Sequence, residues 1–279
     1  EWAGSRVFGR DKPRVHIFRH ELMQCFSMHL FAKFPVEPIT TLAQYRAAIT
    51  KRLVMVALQV RLNVHARGDP ISMVEFSYLD SPREACAVCA LDLMAEASGW
   101  EQAAATAVRE IKRLAKFGLS QAELSRCLSA LLSDCAQLAA QGDRMSNQDM
   151  LTLMMESVAC GHTFMDPEQL QCATELVAET LTLEEVNSEA ASLCAHIANF
   201  GTEGAAMPST VVACAPADVE LTEDMVLGAF TAAASQPVEN SADVIVPASL
   251  VPPDAQAAMR ERVPPSWTEE IPEGPTGVV

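Results

Sequence analysis

The sequence predicts an α+β domain, a mostly antiparallel sheet with a layer of helices on one face, followed by a Pro-rich C-terminal linker. Three observations point there. Apolar residues recur at steps of three or four from Leu42 to Val60, they alternate with other residues between Met73 and Met94, and helix-capping signals then repeat as far as Glu185. This punctuation predicts about four strands and roughly five to seven helices.

Taken in order, Phe26 to Phe34 is the first extended candidate, with His16 to His20 as its lead-in. Thr41 can cap a long helix, with Gln44 three residues on, and Leu42, Tyr45, Ile49, Leu53, Val56 and Val60 give it one stripe toward a core. Asn63, Gly68, Asp69 and Pro70 end it. Val74, Phe76 and Tyr78 then alternate with Met73, Glu75 and Ser77, and Leu91 and Leu93 with Asp92 and Met94, so two strands form a hairpin through the turn Asp80-Ser81-Pro82-Arg83.

Four helix starts follow, Ser98 with Glu101, Ser120 with Glu123, Ser146 with Asp149 and Thr182 with Glu185, each a hydroxyl three residues before an acid. Gly118, Gly142, Gly161 and Gly201 supply stops. Leu124, Leu128, Leu131, Cys135 and Leu138 make one buried stripe, and Met150, Leu153, Met154 and Val158 another, a methionine stripe of that kind reading as core filler. Asp166 and Pro167 open a further helix, to about Leu181, and Ser209 to Cys214 reads as a strand returning beside the hairpin.

From Gln236 the composition changes, with Pro237, Pro247, Pro252, Pro253, Pro264, Pro265, Pro272 and Pro275 crowding a stretch of little periodicity. Residues 1–236 are therefore expected to form the domain and residues 237–279 a linker, interrupted by a short helix near Asp254 to Arg262.

Forty-nine percent apolar residues support a substantial core, and no uncharged run exceeds 14 residues, short of the roughly 18 to 20 that cross a bilayer. The nine cysteines lie mostly in apolar stretches, which suits reduced thiols. Cys86 and Cys89, three apart on a strand, point to opposite faces and cannot share one metal ion.

The net charge of −16 is unevenly placed. Residues 1 to 67 hold 11 Lys/Arg against 4 Asp/Glu, a net of +7, which leaves −23 for the rest. Between Met145 and Met259 stand 17 acids and no Lys or Arg. Such a field repels nucleic acid and attracts a cationic peptide, although solvated helix faces also use Glu simply for solubility. Glu175, Glu179, Glu185 and Glu189, near helical spacing, are where those acids could converge on a substrate or merely line an exposed stripe.

Catalytic patterns are sparse. The six histidines stand at 16, 20, 29, 65, 162 and 196, and none lies in an H-x-x-E-H string. His16 and His20 with Glu21 resemble a helical metal pair, but position 24 is Gln and no third ligand is well spaced. His162 reads as a helix cap or a solvent-facing side chain, and His196 as a packed residue or a partner of a helix C-terminus. Neither G-x-S-x-G nor a phosphate-binding glycine loop occurs. Arg61, Arg67 and Arg83 cluster near the long helix's end and the hairpin, where they could receive a substrate carboxylate or pair with acids of a neighbouring domain.

Arg61-Leu-Asn-Val-His-Ala-Arg67, Asp69-Pro-Ile-Ser-Met-Val-Glu-Phe76 and Asp80-Ser-Pro-Arg-Glu84 resemble the pitrilysin/insulinase (inverzincin) family of zinc metalloendopeptidases, in particular members that process chloroplast transit peptides. The resemblance extends through His20-Glu-Leu-Met-Gln-Cys-Phe-Ser-Met28, Phe117-Gly-Leu-Ser-Gln-Ala-Glu-Leu124, Met155-Glu-Ser-Val-Ala-Cys-Gly-His162, Thr182-Leu-Glu-Glu-Val-Asn187 and Val211-Val-Ala-Cys-Ala-Pro216. It thus covers most of residues 14 to 216.

That resemblance implies the second, zinc-free domain of such a peptidase's N-terminal half, and so a piece of a larger enzyme. Zinc would belong to the complete enzyme, with no ligand here and no catalytic residue. The expected role is substrate-chamber wall and interdomain interface. Arg61, Arg67, Arg83, Glu175 and Glu179 are the candidate substrate contacts. The implied partners are cationic precursor or transit peptides and adjoining peptidase domains, not nucleic acid or membrane, and the implied location is the chloroplast stroma. The rival reading is a non-catalytic interaction or scaffold protein that shares the fold.

Overall fold

The computed structural model describes residues 12–65, 70–81, 86–142, 145–205, 208, 210–240, 251 and 253–260. Its elements run in chain order β1 (Arg14–His20), β2 (Phe26–Pro35), α1 (Leu42–His65), β3 (Ile71–Ser81), β4 (Cys86–Ala95), α2 (Trp100–Phe117), α3 (Gln121–Ala140), α4 (Asn147–Ala159), α5 (Pro167–Ala178), α6 (Leu183–Ala198), β5 (Thr210–Pro216), α7 (Glu223–Ser235) and α8 (Pro253–Arg260). The chain divides into two compact units, Glu1–Ser241 and Ala242–Val279. Within the second, α8 is the described helix, and Gln256 donates back to the Val251 carbonyl at 2.9 Å.

The sheet of the first unit has the order β1-β5-β2-β4-β3. Only the β1–β5 pair is parallel, because β5 comes back from the helical layer to run between β1 and β2. The returning strand therefore does not lie beside the hairpin β3–β4 as its sequence position suggests; β2 separates them. The region of His16 to His20, expected as a lead-in, is a full edge strand. Five strands thus replace the four expected among the described residues.

Alternation decides which face is covered. Phe26, Met28 and Leu30 of β2, Leu91 and Leu93 of β4, Val74 and Phe76 of β3, and Val211 and Ala213 of β5 all point into one core shared with the helices. Trp100, at the start of α2, stacks on Phe26 with ring centroids 5.0 Å apart. Buried α2 packs against both α6 and α7, while α3 packs on α5 and α1 spans β3 and α6. Tyr45 of α1 hydrogen-bonds Thr174 of α5 at 2.7 Å inside that layer, and burial pushes its phenol pKa up.

The capping chemistry explains most helix starts. Gln44 N donates to Thr41 Oγ1 at 3.3 Å and Gln44 Oε1 accepts from Thr41 N at 3.0 Å. Ser120, Asp166 and Thr182 form full capping boxes with Glu123, Gln169 and Glu185. Ser98 does not cap α2; Gly99 takes that place without a side-chain bond, pressed so closely on Pro70 that a Cβ would sit 2.5 Å from its ring. Gly118 ends α2 at φ 70°, whereas α3 is capped by Gln141 and not by Gly142.

Three stripes differ from expectation. On α1, Tyr45, Ile49 and Leu53 are buried, but Leu42, Val56 and Val60 are exposed, because the buried face drifts onto Val54, Ala57, Leu58 and Leu62 as 3.6-residue turns accumulate. Leu124, Leu131 and Cys135 of α3 are buried while Leu138 reaches solvent. On α4, the stripe of Met150, Leu153, Met154 and Val158 buries nothing: no residue of that helix is buried. An amphipathic pattern marks a face that favours cover, and here no helix or strand packs broadly against it. Helix α5 also stops at Ala178, three residues short of Leu181.

The expected domain limit of 236 falls in a packed stretch. Lys112 Nζ donates to the carbonyls of Ala234 and Gln236, the latter at 2.8 Å, and Val238 is buried. Pro247, Pro252, Pro264, Pro265, Pro272 and Pro275 lie outside the described residues.

Candidate functional site

Small residues on α1 open a groove. Ala47 lines three adjoining cavities, of about 580, 330 and 470 Å³. The first lies under the β2–α1 connection, with Pro38, Ile39 and Met55 as apolar lining and Lys51, Arg52 and Tyr78 beside them. The second adds Phe34, Glu189 and Leu193, and the third runs between α1 and α6 past Arg46, Glu184 and Glu185. A helix with larger residues at 43, 47 and 48 would fill this space.

Charges alternate along the groove. Lys51 donates to Glu37 at 2.8 Å and stands 5.2 Å over the Tyr78 ring. Burial alone would lower the Lys51 pKa, but the Glu37 bond and the fields of Tyr78, Glu37 and Glu189 outweigh it, so the ammonium is held charged. Half-buried Glu189 has its pKa raised by burial, with Lys51 partly offsetting and Glu37 adding to the effect. Arg46 takes Glu185 in a fork at 2.7 and 3.1 Å and also donates to the Thr180 hydroxyl at 2.7 Å and carbonyl at 2.8 Å. The Arg46 bond first, then the capping bonds of Thr182, pull the Glu185 pKa down to about 2.

Of the candidates named from sequence, the structure brings Glu185 and Glu189 to this groove and leaves Glu175 and Glu179 exposed at the end of α5, Glu175 accepting from Gln171 at 2.8 Å. Arg61 faces the domain interior. Its guanidinium binds Glu123 at 2.7 and 2.8 Å and the Gly118 carbonyl at 2.9 Å, with both side chains about one-tenth exposed. It ties α1 to the α2–α3 junction and pairs with an acid of its own domain. Burial would raise the Glu123 pKa, but the Arg61 hydrogen bond and the Ser120 backbone lower it below the usual carboxylate value. Arg67 and Arg83 lie outside the described residues.

The histidines have structural settings. His16 and His20 share one face of a strand, about 13 Å apart along it, too far for one ion. His162 neither caps α4 with its ring nor faces away: its Nδ1 accepts from the Ile39 backbone at 3.0 Å. His196 is 3% exposed, with its ring centroid 6.1 Å from Phe34 and 6.4 Å from Phe76. Neither ring nitrogen finds a well-directed partner, and burial lowers its pKa to about 4, against a small opposite pull from the Leu193 backbone. Burial likewise pushes the Cys194 thiol up to about 12 and the Cys89 thiol well above its ordinary range, so both are held as neutral thiols.

Sequence reasoning missed Lys51 and Arg46 of α1, Glu37 of the β2–α1 connection and Tyr78 of β3, and the His29–Asp92 pair on the open sheet face. His29 and Asp92 are register partners on adjacent antiparallel strands, a relation invisible until β2 is placed beside β4. For Arg46 and Glu185 the capping box at Thr182 was the available signal that the latter sits at a helix start.

The five-stranded, mostly antiparallel sheet with its helices on one side has the fold of pitrilysin-type peptidase domains. It superposes on a predicted insulinase family protease from Yersinia pestis with a TM-score of 0.65 and 18% identity, over 81% of this chain and 47% of that one. For the periplasmic protease PqqL from Escherichia coli the values are 0.70 and 12%, over 88% and 27%. No family model matches the chain. Against curated proteins it is 36% identical over 284 residues to the chloroplastic stromal processing peptidase of Pisum sativum, and 35% identical over 263 residues to that of Arabidopsis thaliana. Those alignments take in 98% and 90% of this chain but 22% and 21% of the relatives, so the chain spans about a fifth of their length. By sequence the chain is thus similar to stromal processing peptidases, and by fold to an insulinase family protease.

Proposed function

We infer that the chain is the second, zinc-free domain of a stromal-processing-peptidase-like zinc endopeptidase, one that removes transit peptides from imported precursors in the chloroplast stroma. The observation that carries this reading is the 36% identity running through 98% of the chain. Its domain would occupy residues 1–236, with residues 237–279 leading to the next part of the enzyme.

Family chemistry uses a zinc-activated water held by H-x-x-E-H, and this chain's residues do not fit such a centre. Among the described residues no three His, Cys, Asp or Glu side chains converge, and the two closest-spaced histidines are splayed along a strand. The part left to this domain is to form chamber wall and interface and to attract substrate. Its acidic stretch, free of Lys and Arg from Met145 to Met259, raises the local concentration of cationic peptides. Across the three cavities of the α1 groove, the four acids Glu37, Glu184, Glu185 and Glu189 outnumber the three bases Arg46, Lys51 and Arg52. That balance favours an Arg or Lys side chain from a precursor.

The test is incubation with zinc and an Arg-rich precursor peptide. The chain alone is expected to bind the peptide in a salt-sensitive way and leave it intact, with cleavage appearing only when an H-x-x-E-H domain of a stromal processing peptidase is supplied. Cleavage by the chain alone would refute the assignment. Equal affinity for an acidic peptide of the same length would refute the electrostatic role.

A further inference from the structure

Helix α4 is built firmly and left uncovered. Ser146 caps its start, accepting from Asp149 N at 3.1 Å, and the segment after it is tied down by Ile39 N donating to His162 Nδ1 at 3.0 Å and Thr163 N donating to the Ile39 carbonyl at 2.8 Å. Between these anchors Leu151, Met155 and Val158 are 57%, 65% and 73% exposed. Their spacing, four then three residues, is that of one seam of a helix pair, so the face suits another helix laid along it. Three large apolar side chains on an ordered ridge form the kind of surface that soluble domains reserve for partners.

We propose that this ridge receives an amphipathic, cationic helical segment of a peptide substrate, its apolar side against Leu151, Met155 and Val158. The proposal rests on the substrate-binding reading above and names the surface that reading left open. Charge selects the occupant. Asp149 and Glu156 stand on the reverse side of α4, the helix itself carries no Lys or Arg, and in sequence it opens a stretch from Met145 to Met259 that holds 17 acids and neither base. A second copy of the chain would bring the same acids to the same place and be repelled, whereas a helix with Arg or Lys on its polar side is drawn in. Methionine and leucine at such a surface adapt to varied apolar sequences, which suits substrates that share a pattern more than a motif.

The test uses a fluorescent synthetic peptide with Leu at helical i, i+4 and i+7 positions and Arg elsewhere, a scrambled peptide of equal composition, and the intact chain. Anisotropy is expected to show the patterned peptide binding at least tenfold more tightly than the scrambled one. Met155→Gln and Val158→Gln together should abolish that preference, with the circular dichroism spectrum unchanged because both side chains are exposed, while Met155→Leu with Val158→Ile should retain it. Equal binding of the patterned peptide by the Gln double variant and the parent overturns the assignment to α4 yet leaves the substrate-binding reading standing. Loss of all peptide binding by the parent overturns both. Sedimentation showing a dimer that the Gln variant dissolves would also overturn it, by making a second copy the occupant.

Discussion

Lowering the pH from 7 to 5 should destabilise the domain through His196. The ring is almost wholly buried among Phe34 and Phe76, with no partner for a second proton, and its pKa falls from 6.5 to about 4. In the unfolded chain it titrates near its ordinary value, so between these limits the unfolded state binds more protons than the folded one, and stability declines as pH drops. At pH 5 the unfolded imidazole is almost fully protonated and the folded one almost fully neutral. The linkage relation then gives a loss of about 2 kcal/mol relative to pH 7, growing to about 3 kcal/mol below the folded pKa. Urea unfolding at pH 7 and 5 measures it, with His196→Leu as the reference: groups common to both proteins cancel in the difference of differences. The variant should lose about 2 kcal/mol less between the two pH values than the parent. An identical loss in both would show that the ring is solvated or protonated in the fold, and would refute the reasoning.

Replacing Arg61 by Ala strands the Glu123 carboxylate in the interior, and should cost about 3 to 5 kcal/mol in urea unfolding, whereas Arg61→Met with Glu123→Leu should recover most of that loss. Gly118→Ala forces a Cβ to within 2.3 Å of the Asn187 side chain at φ 70°, and should destabilise by about 1 to 3 kcal/mol, read as a fall in Tm. Arg46→Ala should move the Glu185 titration, followed by carboxyl NMR, up from about 2 toward 4.5, although the capping bonds from Thr182 will hold it somewhat low. Because that pKa is depressed, the stabilisation Glu185 gives is present above pH 4.5 and fades as pH falls toward 2, in a window separate from that of His196.

How much of this was legible depended on the range of the interaction concerned. Caps are local, three residues apart, so Thr41, Ser120, Ser146 and Thr182 could be read directly, and Gly118 marked its stop. The exception, Ser98, shows what local reasoning omits: Pro70, 29 residues earlier in the chain, packs against Gly99 and fixes the start of α2 there. Strand identity was legible for β3 and β4, whose hairpin turn declares their pairing, but β5 was placed wrongly because nothing near Thr210 says that it will insert between β1 and β2. The groove was legible only as a list of acids. Glu185 and Glu189 acquire their settings from Arg46 and Lys51, more than 130 residues away, and Arg61 was taken for a surface group because its partner sits 62 residues downstream.

Helix α4 exposes the same limit from the other side. Its methionine and leucine stripe is as regular as those of α1 and α3, and period alone assigns all three to the core. What separates them is supply of a facing surface: α1 meets β3 and α6, α3 meets α5, and α4 meets no comparable element. Periodicity thus measures a helix's demand for a partner, while topology decides whether the same domain provides one. On α4 the unmet demand is largest at Leu151, Met155 and Val158, a ridge beside the predicted stripe, and it is this ridge that the proposed cationic helical segment would cover.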